Sequence, residues 1–158
     1  MKKLELSICI WDYASYNNGV DNWKWFDLGS EVNKLHEHIK NLASQGLEEI
    51  FICDYDCNYD INISETNSIS KLIKSVEDWD DIEQNALDNL EWYPIEDFDE
   101  IMSDNTPWDI ATAVKCGDFN PFYHYFGFDA YGNLKSLHKF DLDKEIEDLV
   151  ISEIENRL

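Results

Sequence analysis

Basic residues are what this chain has least of. Lys and Arg number 12 against 34 Asp and Glu, and Arg157 is the single arginine. Between residues 75 and 114 there is neither Lys nor Arg. Contacts to a nucleic-acid backbone require clustered cations, so this composition argues against direct binding to DNA or RNA. An anionic membrane surface is disfavoured for the same reason.

Other absences narrow the field further. No apolar run is long enough for a signal peptide or a membrane span, which leads us to expect a cytoplasmic protein. The four cysteines, Cys9, Cys53, Cys57 and Cys116, lack the spacing of a secreted disulfide framework, and Cys9 and Cys53 read as reduced thiols of buried strands. Zinc sites use two ligand pairs at defined spacing, and Cys53 with Cys57 supplies one, with His36 and His38 as candidate neighbours. His36 and His38 are expected on the exposed side of a helix, and His124 and His138 beside strands. There is no Gly-x-Ser-x-Gly elbow for a nucleophilic serine and no glycine loop to cradle phosphate, so no cofactor is expected. No internal repeat or linker is visible.

What is present is acid interleaved with large apolar side chains. Residues 75–114 carry Glu77, Asp78, Asp80, Asp81, Glu83, Asp88, Glu91, Glu96, Asp97, Asp99, Glu100, Asp104 and Asp109. Trp79, Ile82, Leu87, Leu90, Trp92, Ile95, Phe98, Ile101 and Met102 lie between them. A disordered acidic tail lacks such material, so the segment reads as folded, with carboxylates presented over an apolar interior. Chain-wide apolar content of 44% is enough for a core. A net charge of −22 opposes compaction, so a chain that tolerates it is expected to use it. Salt adaptation spreads acid evenly, whereas here the lysines cluster outside 75–114.

Periodicity predicts an α+β fold. Leu4–Ile10 alternates as a strand, Tyr16–Gly19 is a turn, and Asn22–Leu28 is a second strand. Ser30 is the expected N-cap of a helix on Val32, Leu35, Ile39 and Leu42 that Gly46 closes, and Leu47–Tyr55 is a third strand. This β-β-α-β unit, residues 1–66, forms one expected lobe. Residues 67–158 form the other, with central acidic helices, a C-terminal β-hairpin and an amphipathic helix. Its first helix, capped by Asn67 or Ser68, buries Ile69, Leu72, Ile73 and Val76, and a second runs from Asp80 to Leu90. Pro94 opens a third helix to Met102, and Thr106-Pro107 opens a fourth that ends at Gly117. Tyr123–Phe128 and Leu134–Leu137 are hairpin strands, and Asp141 begins the last helix.

Two N-terminal pieces resemble a known family. Ile8-Cys9-Ile10-Trp11-Asp12-Tyr13-Ala14-Ser15-Tyr16-Asn17-Asn18-Gly19, followed by Trp25-Phe26-Asp27-Leu28, resembles the opening of the ArdA antirestriction proteins. Glu48-Glu49-Ile50-Phe51-Ile52-Cys53-Asp54-Tyr55-Asp56 resembles that family's Glu-Glu-x-x-Ile-x-Asp-Tyr-Glu segment. The likeness spans about residues 4 to 60. Trp108-Asp109 through Gly117-Asp118-Phe119-Asn120-Pro121, with Tyr131-Gly132-Asn133-Leu134, resembles a segment of uncharacterised phage and mobile-element proteins. The ArdA resemblance implies an elongated, acidic, dimeric mimic of B-form DNA that fills the DNA-binding groove of type I restriction-modification enzymes and is carried by plasmids, transposons and phages. It implies no catalysis.

Charge density agrees with that implication. Duplex DNA carries about one charge per 1.7 Å, so 22 charges correspond to roughly 37 Å of duplex. A globule of this length has a radius of gyration near ~15 Å, a body of comparable size. The same physics admits an anti-CRISPR protein that fills the groove of a CRISPR effector. A third reading is an acidic interaction module with calcium bound by Asp54, Asp56, Asn58, Asp60, Asn62 and Glu65, at positions 1, 3, 5, 7, 9 and 12 of a twelve-residue loop. Tyr59 stands there where such loops carry Gly. A last alternative is a metal-dependent enzyme using pairs such as Asp80/Asp81 or Asp97/Asp99.

Overall fold

The computed structural model describes residues 1–90, 92–94, 112, 115–117, 124–128 and 130–158. The fold is α+β. Backbone contacts divide it into two compact units, Met1–Asn85 with Val150–Leu158, and Ala86–Leu149.

The first unit is built on a three-stranded antiparallel sheet in the order β2-β1-β3, from β1 (Leu6–Asp12), β2 (Lys24–Asp27) and β3 (Ile50–Cys57). Alternation of side chains makes it two-faced. Ile8 pairs with Phe26 and Tyr55, and Ile10 with Lys24 and Ile52. Leu6, Ile8, Ile10, Phe26 and Leu28 are at most 2% exposed. On this inner face lies α2 (Val32–Ser44), whose His38 ring centres 5.4 Å from that of Phe26. Leu35 and Leu42 of α2 are buried, as their helical spacing requires.

Between β1 and β2 the chain makes a short helix, α1 (Tyr13–Asn17), which the turn reading missed. It begins because Asp12 caps it. The Asp12 Oδ1 accepts the Ser15 amide proton at 2.7 Å. Gly19 then turns the chain at φ +67°. Ser30 does not cap α2. The cap residue is Glu31, and Ser30 instead donates its hydroxyl to Asp27 Oδ1 at 2.9 Å, beside the Gly29 and Ser30 amides. Asp27 won because its carboxylate accepts three donors of the turn at once. Gly46, at φ +77°, ends the helix as expected.

After β3 the chain bends at Asn58 and Tyr59, and Tyr59, Ile61 and Ile63 are buried in alternation. Tyr59 packs against Trp79 at 5.6 Å between ring centres. Helices α3 (Ile69–Glu77) and α4 (Trp79–Asp88) follow, burying Leu72, Ile73 and Val76, then Trp79, Ile82 and Ala86. Burial of each such large side chain contributes about 1.5–3 kcal/mol, enough to hold helices with so many like charges. Ser68 occupies the N-cap of α3.

The second unit contains a three-stranded antiparallel sheet in the order β4-β5-β6, from β4 (Tyr93–Pro94), β5 (His124–Phe128) and β6 (Leu134–His138). Pro94 thus belongs to an edge strand and not to a helix start. Proline tolerates an edge, where its missing N–H faces away from the ladder. Gly127 of β5 approaches Trp92 closely, and a Cβ there would stand 2.8 Å from the indole. The hairpin β5–β6 turns through Gly132 at φ +78°. Helix α5 (Lys139–Arg157) buries Leu142 in this unit, and its end from Val150, with Val150 and Ile154 buried, belongs to the first unit. Gly117 has φ +73°. The helix expected over Ile95–Met102, and the one from Thr106 apart from Thr112 and Lys115, lie outside the described residues.

Candidate functional site

The acidic segment is described over residues 75–90, 92–94 and 112. Glu77 ends α3 and is exposed, while Asp78 is half-buried and pairs with Lys74 at 2.8 Å. That bond holds the Lys74 amine above its ordinary pKa. Asp80, Asp81 and Asp88 are exposed on α4 and Glu83 is half-buried. At 100° per residue, Asp80, Asp81 and Asp88 fall on the side of α4 opposite Trp79, Ile82 and Ala86. The helix therefore anchors one face and offers carboxylates on the other. Glu91, Glu96, Asp97, Asp99, Glu100, Asp104 and Asp109 lie outside the described residues.

Residues 54–65 are distributed differently from a metal loop. Asp54 and Asp56 stand exposed on β3. Asn58 is engaged by the N-terminal backbone, its Oδ1 accepting the Glu5 amide at 2.9 Å and its Nδ2 donating to Lys3 O at 2.7 Å. Asp60, Asn62 and Glu65 are exposed, and Asn62 donates its amide to Glu155 at 3.1 Å. Among the described residues no three His, Cys, Asp or Glu cluster as a metal site.

The outer face of the first sheet carries what the sequence reading did not assemble. Three cross-strand rows cover it. Trp11 pairs with Phe51, and Trp23 immediately precedes β2. Cys9 pairs with Trp25 on one side and Asp54 on the other, and Ser7 pairs with Asp27 and Asp56. Trp11, Tyr13, Tyr16 and Phe51 form one aromatic cluster, with Tyr13 and Phe51 stacked at 4.3 Å and Tyr16 edge-on to Trp11 at 5.1 Å. The Trp11 indole N–H donates to Val20 O at 3.0 Å, tying the turn to the sheet. Yet Tyr16 is 53% exposed, Trp23 47% and Trp25 39%. The signal was the alternation Trp23-Lys24-Trp25-Phe26, which sends both tryptophans to the side opposite the buried Phe26.

Buried polar groups support this face. Burial alone would raise the Asp12 carboxyl, but the Ser15 amide, the Asn22 side chain and the Ser15 hydroxyl hold it below the usual range. Cys53 is unmatched in the ladder where Cys9 faces Asp54 and Ile10 faces Ile52, a β-bulge that turns it outward. It is exposed, not a core thiol. Cys9 is buried, and burial with its Cys53 neighbour pushes its thiol up to about 12, so it stays protonated and unreactive. His38, expected on the surface, is half-buried against Phe26, and burial, then the charge of Lys24, lowers its pKa.

A family model described as antirestriction protein (ArdA) matches residues 8–140. The chain belongs to the ArdA antirestriction family. Apart from Leu6 and Ser7 of β1, the match takes in the outer-face rows, the described acidic helix and both sheets, so it reaches well past the N-terminal pieces at residues 4 to 60. No curated protein and no solved structure matches the chain. Family membership implies inhibition of restriction enzymes, with a restriction-modification enzyme as partner. No described helix is long and apolar enough to cross a membrane.

Proposed function

We propose that the protein is a stoichiometric DNA mimic, acting in the cytoplasm, that occupies the DNA-binding site of a type I restriction-modification enzyme and catalyses nothing. The carrying observation is the placement of carboxylates on the solvent side of apolar-anchored helices in a chain of charge −22 whose family is antirestriction. Fixed carboxylates can release the counterions of a cationic groove as phosphates do, and such binding weakens with salt. The mimicking surface comprises Glu77, Asp78, Asp80, Asp81, Glu83, Asp88, Glu91, Glu96, Asp97, Asp99, Glu100 and Asp104. A two-fold homodimer would lengthen it.

The test is a pull-down of tagged protein from host lysate at low and high salt, with excess duplex DNA as competitor. A restriction complex displaced by both DNA and salt supports the proposal. A CRISPR complex displaced in the same way would keep the mimicry and change the target. A partner that survives DNA and high salt overturns the mimicry.

A further inference from the structure

The outer face of the first sheet is an exposed aromatic platform bordered by acid, a combination that folding alone does not call for. Trp25 of edge strand β2, 39% exposed, and Trp23 just before that strand, 47% exposed, forgo burial worth a large share of a core side chain. The edge itself leaves backbone groups of β2 without a strand beyond it among the described residues. Asp27, Asp54 and Asp56 stand on the same face as Trp25, so a cation seated on the indole meets carboxylates within the same patch. Lys24, whose amine lies 5.5 Å over the Phe26 ring, is turned to the inner face. The outer rows themselves contain no cation.

Resting on the DNA-mimic reading above, we propose that this face is the anchoring point for an arginine- and lysine-rich DNA-contacting surface of the restriction-modification enzyme, with Trp25, Trp23 and Tyr16 as its contact residues. Guanidinium groups stack on indole faces and pair with carboxylates, so the platform fits the side chains that a DNA-binding groove must contain. Trp, Tyr and Arg are also the residues that dominate binding energy at protein interfaces, whereas dispersed surface carboxylates contribute little each. The charge of α4 then guides encounter and sets salt dependence, and the aromatic face holds the complex. The aromatic cluster that holds Tyr16, fixed by Phe51 and the Trp11–Val20 hydrogen bond, keeps that part of the platform in place.

The test uses the full chain against a purified type I restriction-modification enzyme, reading dissociation rate and inhibition of DNA cleavage. Trp23→Ala with Trp25→Ala should speed dissociation by about 10-fold or more. Asp80→Asn with Asp81→Asn should mainly slow association. Trp23→Phe with Trp25→Phe should recover much of the loss, which a merely structural role shared with unfolding would not separate. Circular dichroism and thermal unfolding of the alanine pair must match wild type, and if that pair unfolds, the exposed Trp23→Ala alone carries the same expectation at about 3-fold. Wild-type kinetics for the folded tryptophan variants, beside a wild-type chain that inhibits, overturns this placement and leaves the mimicry intact. Failure of the wild-type chain to bind the enzyme at all overturns both.

Discussion

Asp12 shows how one side chain can set up a loop. It is 1% exposed and spends both oxygens locally, Oδ1 on the Ser15 amide and Oδ2 on the Asn22 side chain, each at 2.7 Å. Replacing it with alanine removes the cap of α1 and strands buried donors. We expect a loss of about 2 kcal/mol, read from the urea midpoint, and Asp12→Asn should recover part of it. His38 works in the opposite chemical sense. Its folded pKa is depressed, so on acidification the unfolded chain takes up the proton first. Stability present above the ordinary histidine pKa is therefore lost as pH falls through it, near ~6.5. Between pH 7.5 and 5.5, wild type should lose melting temperature faster than His38→Gln, and parallel curves would refute this. The sequence placed His38 outside because helical spacing alone cannot say how far a half-turn neighbour of the core stripe leans onto Phe26.

Elements were legible wherever one period dominated. Strands β1 to β3, helices α2 to α5 and the β5–β6 hairpin all follow from alternation or helical spacing, with turns at Gly19, Gly46 and Gly132. Misreadings fell where a local side chain outbid a propensity. Asp27 took the hydrogen bonds assigned to a Ser30 cap, and Tyr93–Pro94 joined a ladder with Tyr125 and Phe126 that lies more than thirty residues ahead in the chain. Such a pairing leaves no trace in local pattern. The second sheet also depends on a residue with no side chain. A methyl group on Gly127 would meet Trp92 at 2.8 Å, and a ring packed beside a strand cannot yield as a flexible chain end would. Gly127→Ala should cost about 1–3 kcal/mol, with the largest loss of amide protection at Phe126 and Tyr125 in hydrogen exchange. Unchanged protection there would mean the indole moves aside freely.

For the whole molecule, the acid surplus can be read from composition, but its arrangement cannot. The sequence singled out the lysine-free segment, and the described part of it does put Asp80, Asp81 and Asp88 opposite the buried stripe of α4. The outer sheet face escaped notice because its three rows come from strands far apart in the chain. Charge of one sign on a folded body has two consequences of opposite direction, and these give the sharpest test of why it is there. Self-repulsion disfavours the compact state, and Glu77 at the C-terminal end of α3 also opposes the helix dipole, whereas Asp80 and Asp81 in the first turn of α4 favour it. Converting Glu77 to Gln and Asp80 and Asp81 to Asn should therefore leave the protein about as stable or raise its melting temperature, most visibly at low salt. If the charge serves binding, the same variant must weaken inhibition of the restriction enzyme, in additive steps of about 0.2–1 kcal/mol per carboxylate, the range for solvent-exposed ion pairs. The salt dependence of binding should become shallower in step, since fewer counterions are released. Catalysis by a carboxylate would instead abolish activity at one position, and charge kept for solubility alone would leave inhibition untouched while the melting temperature rose. Measuring melting temperature and inhibition on the same three single variants and their combination separates these cases, because only a mimic gains stability and loses affinity together.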